Sequence, residues 1–145
     1  MNEDIYREQG VTLIELVIVI AIIGILASIG IPAYVGQQES AARTEAYSNL
    51  QNLRLLEEQY VADNSVYTDN EGACTKDNDN ISQIQSELSG FQPGTGLNYS
   101  YCIEQNLQLD GTAQTPCFRA TAFGNSGTRV DGDIFMIDCN NNKNF

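Results

Sequence analysis

Residues 11 to 31 read VTLIELVIVIAIIGILASIGI, and this stretch decides the fold of the chain. It contains one charged side chain, Glu15. As a helix it would extend about 31 Å, which matches the hydrocarbon core of a bilayer. A secretory signal has a basic beginning, a shorter apolar run and a small-residue exit, whereas this run is full length and continues into helix-forming sequence. The stretch therefore predicts a retained membrane anchor.

The helix is predicted to continue past Pro32. Between residues 37 and 63 good helix formers dominate, and small or apolar side chains recur at steps of three or four. They are Ala42, Ala46, Leu50, Leu53, Leu56 and Tyr60. A single helix over residues 11 to 63 would be about 80 Å long, more than a globular domain of this size can cover. Half of it is therefore expected to protrude.

The second half of the chain predicts a small sheet. Residues 64 to 96 are rich in Asn, Asp, Ser and Gly, with a short helical turn expected in ISQIQSELSG at 81 to 90. Strands are predicted at 97 to 104, 117 to 123 and 133 to 139, where Tyr, Phe, Ile and Thr are enriched. The asparagines at 140 to 142 are expected to be a frayed tail. The predicted fold class is α+β: a long N-terminal helix packed on an antiparallel meander of three to four strands.

Composition excludes several functions. The chain has 7 Lys and Arg against 19 Asp and Glu, a net charge of −12, and no histidine. Nucleic acid is an improbable partner for so acidic a head. Without histidine the commonest general base is missing, and no nucleophile and base stand at a readable spacing, so we predict neither an enzyme nor a cofactor.

The four cysteines lie beyond the apolar run and lack the C-x-x-C spacing of a metal or redox site. An even number there predicts disulfides in an oxidising compartment. If the last two strands form a symmetric hairpin that pairs 119 with 137 and 121 with 135, Cys117 faces Cys139. Cys74 would then pair with Cys102. This is the preferred one of three possible connectivities.

The string Gly10-Val11-Thr12-Leu13-Ile14-Glu15, followed by LVIVIAIIGILASIGIPAY, resembles the precursor signature of type IV pilins and pseudopilins. The resemblance covers residues 10 to 34, and the remainder matches in architecture alone. It implies that residues 1 to 10 are a leader, which a prepilin peptidase removes after Gly10 before methylating the new amine of Val11. The family usually has Phe at position 11 and a basic leader. Here the leader is acidic, so membrane orientation rests on the resemblance.

The resemblance also implies a domain organisation. Residues 11 to 36 would form the transmembrane and polymerisation half of the helix, and residues 37 to 145 the globular head. Within the head, residues 37 to 63 would be the amphipathic half-helix and residues 64 to 96 the loop that joins helix and sheet. Residues 97 to 145 would form the sheet and the C-terminal disulfide region.

Glu15 is the most informative single residue, because a carboxylate in an apolar span costs at least ~2.5 to 3.5 kcal/mol. We expect its partner to be the charged amine of Val11, in the same chain or, in a filament, in a neighbouring subunit. Such a pair would set the axial register of assembly. The alternative is a glutamate that reaches the interface at the cytoplasmic end of the span.

Gly24, Gly30 and Pro32 lie where glycine costs ~1 kcal/mol and proline ~3 kcal/mol relative to alanine in a helix. They are the predicted helix-softening residues, since in related filaments such a segment can unwind. The alternative is ordinary tolerance of glycine in a membrane helix and a simple proline kink.

The predicted function is a structural subunit of a type IV pilus. Its partners would be further copies of itself, the prepilin peptidase and the inner-membrane assembly machinery. The precursor would reside in the inner membrane and the assembled protein outside the cell. Alternatives are a minor pilin, a type II secretion pseudopilin and, in a different class, a membrane-anchored adhesin or binding module.

Acidic loops at 76 to 80, 131 to 133 and 138 to 144 offer oxygen ligands, and major pseudopilins often use calcium where pilins use a disulfide. None of the three loops has the full twelve-residue calcium pattern. Solvated loops are therefore the prediction, and no metal site is assigned.

Overall fold

A computed structural model describes residues 10–69, 74–78 and 80–145. Its elements are two helices and three strands: α1 (Leu13–Asn64), α2 (Ile81–Glu87), β1 (Tyr99–Leu107), β2 (Ala113–Gly124) and β3 (Ile134–Asp138). The chain divides into two compact units, one up to Gln38 and the other Glu39–Phe145, which we call the head. The α+β prediction is confirmed, and the strands pair in the order β1-β2-β3 as an antiparallel meander.

The first unit is the apolar part of α1. Its large apolar side chains, from Leu13 to Val35, are exposed. The helix continues through Gly24, Gly30 and Pro32, although proline contributes no backbone N–H to the hydrogen-bond ladder. Apolar side chains exposed around the whole helix are what a lipid or protein environment, rather than water, would be expected to cover.

In the head, α1 presents one buried stripe to the core. The buried positions follow steps of three or four, which places them on one helix face. They are Ala42, Ala46, Leu50, Leu53 and Glu57. The first four confirm the predicted stripe, and the predicted Leu56 and Tyr60 are partly buried against the same core. Glu57 is a fully buried carboxylate that the apolar pattern did not predict.

The sheet supplies the other side of this core. Alternate residues of a strand share a face, and one face of each strand carries the core side chains. Tyr99, Tyr101 and Ile103 come from β1, Phe118, Ala120 and Ala122 from β2, and Ile137 from β3. Phe91, between α2 and β1, packs its ring at 76° to that of Tyr101, with centroids 5.5 Å apart.

The predicted hairpin register is wrong by one residue. Arg119 pairs with Asp138 and Ala120 with Ile137, rather than 119 with 137. Residues directly opposite each other share a face, so only the observed register turns Ile137 to the core together with Ala120. The predicted register would have placed Met136 opposite Ala120 and turned Ile137 to the other face.

The loop between β2 and β3 returns close to the end of β2. Gly124 donates its N–H to the carbonyl of Asp133 at 2.9 Å. A Cβ at this position would lie 1.8 Å from the carbonyl oxygen of Val130, a distance that no side-chain carbon tolerates. Glycine is therefore required where the long β2–β3 loop returns to the end of β2.

The C-terminal asparagines do not form a frayed tail, so this prediction is wrong. Asp138 is fully buried, and its carboxylate accepts four hydrogen bonds at 2.9 to 3.0 Å. The donors are the backbone N–H groups of Leu109, Asn140 and Asn142 and the side-chain amide of Asn142. Phe145 then stacks on Tyr47 of α1 with ring centroids 4.5 Å apart. Local polarity suggested fraying, but a buried carboxylate orders the segment.

Candidate functional site

The predicted cleavage junction lies immediately before α1. Gly10 and Val11 precede the helix in an exposed segment, and 79% of the surface of Val11 is accessible. A Cβ on Gly10 would meet no other atom within 4 Å. The remainder of the predicted leader, residues 1 to 9, lies outside the described residues. Accessible backbone is what a protease needs at this bond.

Thr12 and Glu15 form a reciprocal cap at the start of α1. Glu15 Oε2 accepts hydrogen bonds from the backbone N–H of Thr12 at 2.8 Å and from its hydroxyl at 2.7 Å. The N–H of Glu15 donates to Thr12 Oγ1 at 3.3 Å. This is a capping box, which satisfies N–H groups that the first helical turn leaves without partners. The T-x-x-E spacing makes this cap visible in the sequence, although the prediction for Glu15 was an assembly role or a side chain that reaches the membrane interface.

The cap places Glu15 beside the atom that processing would change. With the Gly10–Val11 peptide bond intact, the nitrogen of Val11 is a neutral amide. Cleavage would convert it into an ammonium one residue before the Thr12 N–H that Glu15 already binds. Pairing of Glu15 with that amine, within or between chains, stays a prediction.

Among the described residues, α1 is the one helix long and apolar enough to cross a membrane, by length and composition. Within its apolar part, Ser28 donates its hydroxyl to the carbonyl of Ile25 at 2.7 Å. The helix-softening role of Gly24, Gly30 and Pro32 is not tested by an intact helix, and it too stays a prediction.

The first part of α1 is an exposed apolar helix with a capped, acidic first turn. The same helix continues into a small head, where one of its faces packs on an antiparallel meander. This α+β arrangement is consistent with a pilin-like fold. A family model described as the prokaryotic N-terminal methylation motif matches residues 5–31. The chain thus carries the prepilin signature of type IV pilins and pseudopilins, and its fold is consistent with theirs. Neither the curated proteins nor the solved structures contain a match to it.

In the head, an ion pair joins α1 to the β2–β3 loop. Arg43 donates Nε to Asp133 Oδ2 at 2.8 Å and its amino group to Glu39 at 2.6 Å. Tyr99 donates its buried hydroxyl to Asp133 Oδ2 at 2.9 Å. The bond from Arg43, helped by that from Tyr99, holds the pKa of Asp133 below its usual range, while burial and the bond to Asp133 raise the pKa of Tyr99.

The acidic loops use their carboxylates to hold one another. Asp131 pairs with Lys76 and accepts the N–H of Gly127. Asp77 accepts the N–H of Ser126 at 2.7 Å and its hydroxyl at 2.5 Å, bonds that lower the pKa of Asp77. In the described ranges, no three His, Cys, Asp or Glu side chains gather into a metal-holding group. These contacts thus cross-link the acidic loops.

The cysteines lie in two pairs at disulfide distance, Cys74 with Cys102 and Cys117 with Cys139. These are the pairs preferred from the sequence, although the register that led to the second pair was off by one. The first bridge attaches the loop before α2 to β1, and the second attaches the C-terminal segment to β2.

Glu57 is the head residue that sequence reasoning missed. Its carboxylate accepts hydrogen bonds from both the backbone N–H and the hydroxyl of Thr68. Burial raises the pKa of Glu57 to about 7, against the lowering effect of the Thr68 bonds, and the charges of Glu87 and Glu58 raise it further. The sequence signal that could have identified it is the position of Glu57, which continues the spacing of the apolar stripe Ala42, Ala46, Leu50 and Leu53.

Proposed function

We propose that the protein is a structural subunit of a type IV pilus, assembled through the apolar part of α1 after cleavage at Gly10 and methylation of Val11. The observation that carries the proposal is Glu15, the single charged residue of the span, whose carboxylate accepts the N–H of Thr12, the residue next to the amine that cleavage would create. The family of the matched motif is one of structural, pilin-type proteins.

The exposed apolar surface supports assembly. In the membrane precursor, lipid covers the side chains from Leu13 to Val35; in a filament, copies of the same helix replace the lipid. A carboxylate in that environment is costly unless paired, so a subunit docks where its charged groups meet those of a neighbour. Charge pairing thereby selects one axial position among many that apolar packing alone would permit.

The helix-softening residues fit the same proposal. Gly24, Gly30 and Pro32 weaken α1 between the charged first turn and the head. Local unwinding there would adjust the spacing between packed helices and outer heads without disturbing the Glu15 contact.

The head supports a pilus subunit over a secretion pseudopilin. The Cys117–Cys139 bridge closes the C-terminal segment, and the carboxylate of Asp138 is fully occupied by N–H donors. Pilins often hold this segment with a disulfide, whereas major pseudopilins often use calcium. The partners under this proposal are copies of the chain, the prepilin peptidase and the inner-membrane assembly machinery, and the assembled protein is extracellular.

The test is electron microscopy of sheared surface filaments, with mass spectrometry of their subunit. We expect a subunit that begins at N-methylated Val11. A filament subunit that retains residues 1 to 10 contradicts the cleavage proposal, and a protein found only in a secretion-dependent periplasmic assembly favours the pseudopilin alternative.

A matched pair of variants separates assembly from capping. Glu15→Ala removes both the charge and the cap, whereas Thr12→Val removes the cap hydroxyl and keeps the charge. We expect filaments to be lost in Glu15→Ala and retained in Thr12→Val, with membrane insertion normal in both. Equal loss in the two variants would assign Glu15 to helix capping and remove the register role.

A further inference from the structure

The uncharged part of α1 is longer than the hydrocarbon core of a bilayer. After Glu15 the helix continues without a charged side chain to Gln38, a run of 23 residues. As a helix this run is about 35 Å long, against about 30 Å for the hydrocarbon core. Such a helix can slide or tilt without moving a charge into lipid. Its length and hydropathy therefore do not fix the depth of the span.

Tyr34 lies at the point where the apolar surface ends. Its side chain is 65% exposed, and Gln37 and Gln38 follow within the next turn. The other large apolar side chains exposed between Leu13 and Val35 are Val, Leu and Ile, so within this described segment Tyr34 alone joins an apolar body to a polar tip. A tyrosine of this kind prefers the headgroup layer, where the ring leaves water and the hydroxyl stays hydrated.

The spacing between Glu15 and Tyr34 matches the membrane. The two residues are 19 positions apart, which is about 29 Å along the helix and close to the thickness of the hydrocarbon core. With Tyr34 in one headgroup layer, the Glu15 carboxylate, which accepts the N–H of Thr12, reaches the opposite layer. A shallower Tyr34 would draw Glu15 into hydrocarbon, and a deeper one would bury its own hydroxyl there.

We propose that Tyr34 is a positioning residue, which binds the lipid headgroup layer at the C-terminal end of the span and thereby sets the depth of α1 in the membrane. The segment from Glu15 to Tyr34 then fills the hydrocarbon core. The bond between Gly10 and Val11 lies outside that core on the opposite side, at a constant height for a peptidase in the same membrane. The link to cleavage rests on the proposed function, whereas the depth of the span does not depend on pilus assembly.

The depth of the span can be measured with tryptophan, because the chain contains none. The full chain is reconstituted in phosphatidylcholine vesicles at high lipid excess. Single-tryptophan variants are then quenched by lipids brominated close to the headgroup, in the middle of the acyl chain or near its end. Tyr34→Trp keeps an amphipathic aromatic ring and reports the depth of that ring. Ile29→Trp replaces a side chain that is 71% exposed and reports the depth of the span.

We expect the reporter of Tyr34→Trp to be quenched most by bromines close to the headgroup, and that of Ile29→Trp to lie about 7 Å deeper, the rise of five helical residues. In Ile29→Trp/Tyr34→Ala the helix can slide until Gln37, the next polar side chain, meets the interface. The reporter should then move deeper by about 4 Å, the rise of three residues. The slide has this direction because it carries Glu15 further from hydrocarbon.

Ile29→Trp/Ile31→Ala is the matched control, because Ile31 is 64% exposed and has no polar tip, and its reporter should stay at the depth seen in Ile29→Trp. The role of Tyr34 is overturned if Tyr34→Trp is quenched most by deep bromines, or if Tyr34→Ala and Ile31→Ala leave the reporter at one depth. If no bromine quenches either single-tryptophan variant, the chain does not enter the bilayer, and the membrane precursor of the proposed function is overturned as well.

Discussion

Both carboxylate oxygens of Glu57 accept a hydrogen bond from Thr68, one from its backbone N–H at 3.0 Å and one from its hydroxyl. This contact joins the buried face of α1 to the segment that follows the helix. The Glu57 side chain is fully buried, so the charged form of its carboxyl is disfavoured in the folded head. Protonation of Glu57 is therefore coupled to the stability of the head.

Stability should therefore fall with rising pH. The pKa of Glu57 is about 7 in the folded head against an ordinary 4.5, so its contribution is fully present below 4.5 and is lost as pH rises through 7. The loss across that window is about 3 kcal/mol. Urea unfolding of the full chain, followed by circular dichroism between pH 5 and 8, measures it.

Glu57→Gln should flatten this pH dependence, because the amide stays neutral and can still bond Thr68. Glu45→Gln, on the same helix three turns earlier, should leave the slope as in the wild type. A wild-type head equally stable at pH 5 and pH 8 would contradict the assignment.

Loss of Asp133 should destabilise the head more than loss of Arg43. Asp133→Ala removes the partner of Arg43 and also leaves the buried hydroxyl of Tyr99 without its acceptor, a defect of about 1 to 3 kcal/mol. Arg43→Met leaves the Tyr99 bond in place. Thermal unfolding of both single variants and of Tyr99→Phe/Asp133→Ala measures the difference.

In that comparison, the double variant should be more stable than Asp133→Ala alone, because it no longer buries an unpaired hydroxyl. Since the pKa of Asp133 is lowered from 3.8, its contribution is present above that value and is lost as pH falls further. Equal unfolding midpoints for Arg43→Met and Asp133→Ala at pH 7 would show that the Tyr99 bond contributes nothing.

Asp138→Asn should loosen the C-terminal segment. Each oxygen of Asp138 accepts two N–H donors, and an amide would turn one of them into a donor that faces donors. We expect a loss of about 2 to 4 kcal/mol. Hydrogen exchange of residues 138 to 145 should accelerate. Asp110→Asn is the control, as this exposed carboxylate caps only its own turn through Thr112. Similar exchange rates in the two variants would be evidence against the role of Asp138.

Gly124→Ala should be among the most damaging single-methyl changes in the head, since the added carbon would lie 1.8 Å from the Val130 carbonyl oxygen. The β2–β3 loop would have to shift, and the bond from Gly124 N to Asp133 would break. We expect a loss above about 2 kcal/mol in chemical unfolding. Gly36→Ala, where the methyl meets open space in a helix, should be neutral or stabilising. A Gly124→Ala protein as stable as Gly36→Ala would refute the steric argument.

The sequence by itself determined the parts of this protein that depend on near neighbours in the chain. The apolar run after Val11 and the N-terminal methylation motif are contiguous stretches of sequence. The helix face of Ala42, Ala46 and Leu50 follows a period of a few residues. Both kinds of pattern can be recognised in the sequence without a structure. The Thr12–Glu15 cap is equally local, since its two partners are three residues apart in the sequence.

Only the tertiary structure decided the remainder, because it depends on residues far apart. Arg43 bonds Asp133, which is 90 residues away in the sequence. The register of the β2–β3 hairpin depends on which face of β3 packs against the core formed by α1 and β2. The same holds for the order of the tail around Asp138. Pattern sets the period of each element, whereas packing and desolvation of distant partners set its register, its buried charges and its cavities.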